Sequence, residues 1–289
     1  MGSYAPVPAM LRRSMVGLVS PRVQALRQID EWSVEFAAAG VVDSEGGVHV
    51  RGDTSRAVRL ASVSKPIAAL ATLVAAEEGV VDLDEPAGPR GSTVRHLLAH
   101  TSGLPFEGTE PIARPGQRRV YSNEGFRVLA RHVAERSEIA FPAYVREAVC
   151  APLGIGLDPE GDPASGMHAS LDDVIAVGRE LLVPRLVAEE TRDEMISIQF
   201  RGIPGVLPDY GRFDPLDWGL GVQLNTHPPT WMGSRTSSGA FGHFGGSGTF
   251  LWVDPEASIV CAALTTREFD EWAKQAWPRL SDAVLAELG

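Results

Sequence analysis

The chain has 289 residues, 44% of them hydrophobic, and a formal net charge of −11 at neutral pH. One large domain or two ordinary ones fit that size, with a substantial core, whereas the acidic balance argues against nucleic acid or an anionic membrane surface as partner, since both call for clustered positive charge. No run reaches the roughly 18 apolar residues that a membrane-crossing helix requires, and two cysteines, Cys150 and Cys261, are too few and too far apart for a disulfide framework or a cysteine-rich zinc site.

At the N-terminus, Arg12-Arg13-Ser14 and the apolar stretch after it are similar to a twin-arginine export signal. The stretch is short, Ser20-Pro21-Arg22 ends it, and no small-residue cleavage site follows. A solvated start to a cytoplasmic protein is therefore expected. Ser20-Pro21 reads as an N-cap with proline at the first helical position, opening a helix with Ala25, Ile29, Trp32 and Phe36 along one face and its end near Gly40. Val41-Val42 and Val48-His49-Val50 flank Glu45-Gly46-Gly47, the pattern of a hairpin. A helix that is apolar all round follows, starting close to Ser62 because Pro66 fits only a first turn, and ending near Gly79.

Strand signals are sparse from Val80 to about Thr230. Helical stretches are expected at Thr93–Ala99, Gly125–Arg136, Ala140–Val149 and Leu171–Leu182. Gly242 to Gly248 reads as a glycine-rich turn into an edge strand. Strands are expected at Thr249–Val253 and Ser258–Leu264 about the turn Asp254-Pro255-Glu256-Ala257. A final helix runs from about Asp270 to Leu288, kinked or restarted at Pro278, with Leu280, Val284 and Leu288 as its apolar stripe. The expected architecture is α+β: one antiparallel sheet built from both chain ends (about 20–80 and 231–289), flanked by helices, with a mostly helical lobe over about 81–230, all in one catalytic domain spanning 1–289. The cleft between sheet and lobe is the natural place for a site.

Of 26 basic residues only two are lysines, and one, Lys65, lies in the most apolar stretch of the chain. Arginine keeps its charge in any protein, whereas a desolvated lysine can release its proton and act as a base. Ser62 stands three residues earlier, on the same helical face and near the positive helix end. A serine with an adjacent base is an activated nucleophile. A capping serine followed by a chance lysine is the plainer alternative.

Tyr121-Ser122-Asn123 offers a phenol that could exchange protons and an amide that both donates and accepts; packing and a helix start would also account for it. Gly242-His243-Phe244-Gly245-Gly246-Ser247-Gly248 gives a histidine beside a backbone that a substrate can approach closely. His96 and His100 lie one helical turn apart without an evident third metal ligand, so capping or core packing is expected of them. No metal and no cofactor is expected.

These three constellations, in this order, resemble the serine β-lactamase-like superfamily, in particular its branch of class C β-lactamases, D-alanyl-D-alanine peptidases and related esterases. Ser62-Val63-Ser64-Lys65 is similar to Ser-x-x-Lys, Tyr121-Ser122-Asn123 to Tyr-x-Asn, and His243-Phe244-Gly245 stands where relatives carry Lys-Thr-Gly or His-x-Gly. Leu97-Leu98-Ala99-His100-Thr101-Ser102-Gly103-Leu104 and Pro152-Leu153-Gly154 look like further landmarks of the family.

The resemblance implies Ser62 as the acylated nucleophile, Lys65 and Tyr121 sharing base and acid duties, and Asn123, His243 and Gly245 binding substrate. It implies the N–H groups of Ser62 and Gly246 as the oxyanion hole. A neutral His243 in place of lysine holds a substrate carboxylate poorly, so a small-molecule ester or amide, with an esterase-type reaction first, is the expected substrate. A D-amino-acid peptidase or weak β-lactamase, and a non-catalytic binding protein on the same fold, are the alternatives. The sequence leaves the oligomeric state open.

Overall fold

A computed structural model describes residues 23–226 and 230–289. The Arg12-Arg13 segment, the Ser20-Pro21 cap and His227 lie outside them. Strands β1 (Ala37–Val42) and β2 (Val48–Arg51) form the first hairpin. Short pieces follow: β3 (Val58–Arg59), β4 (Arg119–Val120), β5 (His168–Ala169), β6 (Gly205–Leu207), β7 (Gly211–Phe213) and β8 (Gln223–Leu224). The last three are β9 (Phe241–Gly245), β10 (Thr249–Asp254) and β11 (Ile259–Thr265).

The central sheet is antiparallel, in the order β2-β1-β11-β10-β9-β8. Its decisive pair is β1 with β11, in register from Ala37 opposite Thr265 to Val42 opposite Val260. This pairing joins the two chain ends in one sheet, as expected.

Both faces of the sheet are buried, and the two-residue period of a strand divides β11 between two cores. Val260, Ala262 and Leu264 face the helical side; Ile259, Cys261 and Ala263 face away from it. The helical side holds α1 (Ser64–Glu77), α2 (Val94–Leu98), α3 (Asn123–Ser137), α4 (Phe141–Val145), α5 (Ala151–Leu153), α6 (Leu171–Leu182) and α7 (Glu189–Met195). A capping box in which Ser170 and Asp173 satisfy each other's backbone N–H groups starts α6. This helix lies against the sheet so closely that a Cβ on Gly178 would stand 2.4 Å from Val260 Cγ1. On the other face α8 (Glu271–Leu288) buries Trp277, Leu280 and Val284 against Phe250 and Trp252. Cys150 and Cys261 are buried free thiols.

Several local expectations are corrected. The N-terminal helix does not reach Phe36; it is a 3-10 helix over Gln24–Glu31, and Trp32 is already extended. Gly40 is a strand residue, because pairing with β11 outweighs the helical pattern of the stretch before it. The helical stretch from Phe141 continues through a wide turn at Arg146–Cys150 to Leu153, where Gly154 stops it in the left-handed conformation. Gly242 to Gly245 is not a turn before an edge strand: β9 is flanked by β8 and β10, and only Gly246–Gly248 turns. The helix across Pro278 is neither ended nor restarted there; α8 runs through it. The small pairings β3 with β5 and β4 with β6 and β7 were not legible, since their two or three residues are too short to carry a period, and neither was α7, whose seven residues bury only Met195.

Candidate active site

Ser62 lies in the 3-10 turn Ala61–Val63, which leads directly into α1. Ala61 has φ of 46°, a left-handed conformation that costs a residue with a Cβ about 1–3 kcal/mol. Two bonds to the preceding residue hold it there. Leu60 N–H donates to Met167 O at 2.9 Å, and Thr249 Oγ1 donates to Leu60 O at 2.7 Å. Gly245 lies beneath this turn, where a Cβ would stand 2.2 Å from Leu60 O and 3.2 Å from the Ala61 Cβ. A side chain at 245 would thus push β9 away from the serine turn. Nothing stands within 4 Å of the corresponding point on Gly246, which faces open space next to the turn.

Lys65 is fully buried in the first turn of α1. Its Nζ lies 3.2 Å from Ser62 Oγ, 2.7 Å from Asn123 Oδ1 and 3.0 Å from Ala164 O. Both of the latter partners are held in turn. Asn123 Nδ2 donates to Glu107 Oε1 at 2.9 Å, which fixes Oδ1 toward the lysine. Asp162 Oδ1 accepts from Ala164 N–H at 2.8 Å. Arg127 then bridges the two carboxylates, with Nε 2.7 Å from Asp162 Oδ2 and Nη1 2.5 Å from Glu107 Oε2. A closed circuit results: Lys65, Asn123, Glu107, Arg127, Asp162, Ala164 and back to Lys65. Burial is the main force that brings the Lys65 ammonium down to about 7; Asp162 and Glu107 oppose this, and Arg127 adds to it.

A neutral amine has two N–H bonds and one lone pair. Asn123 Oδ1 and Ala164 O can only accept, so they take both N–H bonds. The lone pair is left facing Ser62 Oγ.

Tyr121 sits between β4 and the start of α3. Ser122 caps that helix: its Oγ accepts from Gly125 N–H at 2.8 Å and donates to Pro105 O at 2.7 Å. The tyrosine ring is packed by His100, Trp218 and Phe106. His100 Nδ1 accepts from Ser122 N–H at 3.1 Å, so this histidine supports the wall behind Tyr121. Burial pushes the Tyr121 phenol up, and its hydrogen bond with Ser62 counters only part of that. The phenol therefore keeps its proton at neutral pH.

His243 Nδ1 lies 2.7 Å from Phe244 O, an acceptor, so Nδ1 carries the proton. Nε2 is then an acceptor, 3.4 Å from the Tyr121 hydroxyl. Burial, with the nearby Lys65 charge, brings His243 down to about 3, and the ring is neutral. His96 bonds the capping Thr93 side chain, and no group of three His, Cys, Asp or Glu residues among the described ones is arranged to hold a metal.

Ser62, Lys65, Tyr121, Asn123 and His243 thus meet around one point, with Gly245 below it and Gly246 at its edge. Sequence reasoning missed Glu107, Arg127, Asp162, Ala164 and Trp218; Arg127 stands on α3, and the others come from irregular segments far apart in the chain from the serine turn. A pattern of charges 20 to 35 residues apart has no local period to betray it. Beside Tyr121 opens a cavity of about 530 Å³, walled by Phe106, Ile112, Val206 and their neighbours.

The beta-lactamase family profile matches residues 18–156 and 154–285. A solved beta-lactamase of Mycobacterium bovis is 48% identical, covers 91% of this chain and 99% of its own, and superposes with a TM-score of 0.89. Penicillin-binding protein 4* of Bacillus subtilis is 27% identical over 135 residues, 35% of this chain and 30% of that protein. Esterase EstB of Burkholderia gladioli is 45% identical over 83 residues, 24% of this chain and 21% of that protein. The matches to these two curated relatives therefore span less than a third of either.

Proposed function

The chain belongs to the beta-lactamase family, and on that footing we propose that it is a serine hydrolase acting through an acyl-enzyme, with small-molecule esters as its best substrates. One observation carries the reading: both N–H bonds of a neutral Lys65 are engaged by pure acceptors, which leaves its lone pair for the Ser62 hydroxyl at 3.2 Å. Ser62 Oγ attacks the carbonyl carbon as its proton passes to Lys65. The N–H groups of Ser62 and Gly246 receive the oxyanion; each such donor is worth about 10²–10³ in turnover. Tyr121, which keeps its proton, donates to the leaving oxygen, and the Lys65 proton restores it. Water then repeats the sequence in reverse on the acyl-serine. Asn123 holds Lys65 and faces the substrate.

Esters stand first because His243 is neutral and buried. It supplies no positive charge for the carboxylate that a β-lactam carries. The names of the Mycobacterium bovis and Bacillus subtilis relatives, a beta-lactamase and a penicillin-binding protein, favour lactams as the second reading. A binding protein without turnover is disfavoured by the contact between Ser62 and Lys65.

The test is turnover of a p-nitrophenyl ester and labelling by a fluorophosphonate probe. Ser62→Ala is expected to abolish both; equal activity in that variant refutes the assignment. Burst kinetics on nitrocefin beside short-chain esters separates the two substrate classes.

A further inference from the structure

The described residues expose six large hydrophobic side chains, and three of them, Phe106, Ile112 and Val206, at 50%, 55% and 56%, wall the cavity beside Tyr121. They come from two separate segments: Phe106 and Ile112 from the loop between α2 and β4, and Val206 from β6. Chance scatter would not gather them at one opening, and a gathered apolar surface left in water marks a binding site. Phe106 is also stacked on Tyr121, with ring centroids 5.9 Å apart and planes 22° apart, so the apolar wall continues into the reacting point.

Apart from Tyr121, the polar side chains of the cavity are arginines. Arg119 is consumed by three backbone carbonyls, those of Leu216, Ala99 and Gln199. Arg118 and Arg212 are exposed. Arg118 donates to Ile112 O from Nη2 at 2.8 Å, and Arg212 meets Asp214 only at 3.9 Å.

Resting on the hydrolase reading above, we infer that this cavity is a substrate-arm subsite: it receives a linear apolar chain several carbons long, attached to the scissile group and ending in an anion at the Arg118 and Arg212 mouth. The volume of about 530 Å³ is within the range that encloses a small organic ligand. The apolar walls supply the gain from removing methylenes from water. The guanidiniums accept a terminal carboxylate at the rim, where the protein's overall negative charge would otherwise repel it.

The subsite is tested by the rate at which Ser62 is phosphonylated by three p-nitrophenyl alkylphosphonates, with methyl, hexyl and 5-carboxypentyl arms. In each case the Ser62 oxygen bonds phosphorus, p-nitrophenolate leaves with the electron pair, and the serine proton passes to Lys65. Intact-protein mass gives the label. Hexyl is expected to react at least about tenfold faster than methyl, because several methylenes become buried. The carboxylate is expected to add about threefold at low salt and to lose that gain at high salt, as an exposed ion pair does.

Val206→Trp, at an exposed strand position, should collapse the hexyl-to-methyl ratio, and Ile112→Trp repeats the test from another wall. The double variant Arg118→Gln, Arg212→Gln should remove only the carboxylate gain. Equal labelling by all three arms overturns the subsite while leaving the serine hydrolase intact. A hexyl preference without a carboxylate gain overturns the anionic terminus. No labelling of Ser62 by any of them overturns the hydrolase reading itself.

Discussion

Besides Ser62 Oγ, the Lys65 amine meets two groups that can only accept, Asn123 Oδ1 and Ala164 O. Its two engaged acceptors are positioned by Glu107 and Asp162, and both carboxylates are held by Arg127. On the proposed mechanism the amine has to be neutral to take the serine proton, and burial brings its ionisation down to about 7. The acid limb of kcat/KM is therefore expected near pH 7, with activity rising as the pH goes up through it. Around the amine stand Asp162 and Glu107, which hold its proton on, and Arg127, which drives it off. The neutral His100, His243 and protonated Tyr121 complete its surroundings. Arg127→Gln removes the opposing cation and leaves two carboxylates. Lys65 then keeps its proton longer, and the limb moves to higher pH by about half a unit or more. Asp162→Asn shifts it the other way. The pH profiles of both variants decide the matter; coincident limbs would show that the circuit holds the amine in place without tuning it.

At the level of elements, the site depends on helices being pressed tightly to the sheet. α6 touches β11 through Gly178, where no side chain fits. Gly178→Val would drive a branched group into Val260 and Leu251, and strain of this kind costs about 1–3 kcal/mol. A lowered urea midpoint with an unchanged slope is expected, since the surface exposed on unfolding stays the same. α1 is accommodated in the same way by Gly221, where a Cβ would stand 2.4 Å from the Ala69 Cβ. It is buried on nearly every side, so its sequence is apolar all round, and the buried lysine is the exception that made the site visible. Tyr121-Ser122-Asn123 was legible for a different reason: a capping serine sets the chain direction on either side of it, with tyrosine before the helix and asparagine inside it. The Gly242–Gly245 strand was read as a turn because glycine usually punctuates. Here Gly242 and Gly245 serve close backbone approach instead, each with a carbonyl about 2 Å from where a Cβ would be.

For the whole molecule, the joining of β1 to β11 is the long-range event, and α8 seals the face it creates. Trp277 is fully buried there among Phe244, Phe250 and Phe269. Trp277→Ala is expected to cost about 3–5 kcal/mol of stability, read from chemical denaturation, because the cavity cannot close between rigid aromatic rings. Among the described residues no helix is long and apolar enough to cross a membrane. By itself the sequence determined whatever a local pattern can encode: the two end hairpins, the buried helix, and the serine, lysine, tyrosine and asparagine that meet at one point. Their periods of 2 and 3.6 act over a few residues. The tertiary structure alone decided the charge circuit behind Lys65, the tautomer of His243, the strand identity of β9 and the cavity beside Tyr121. Each of these depends on groups brought together across loops, where burial and exclusion of water set the energies, and no spacing along the chain records that.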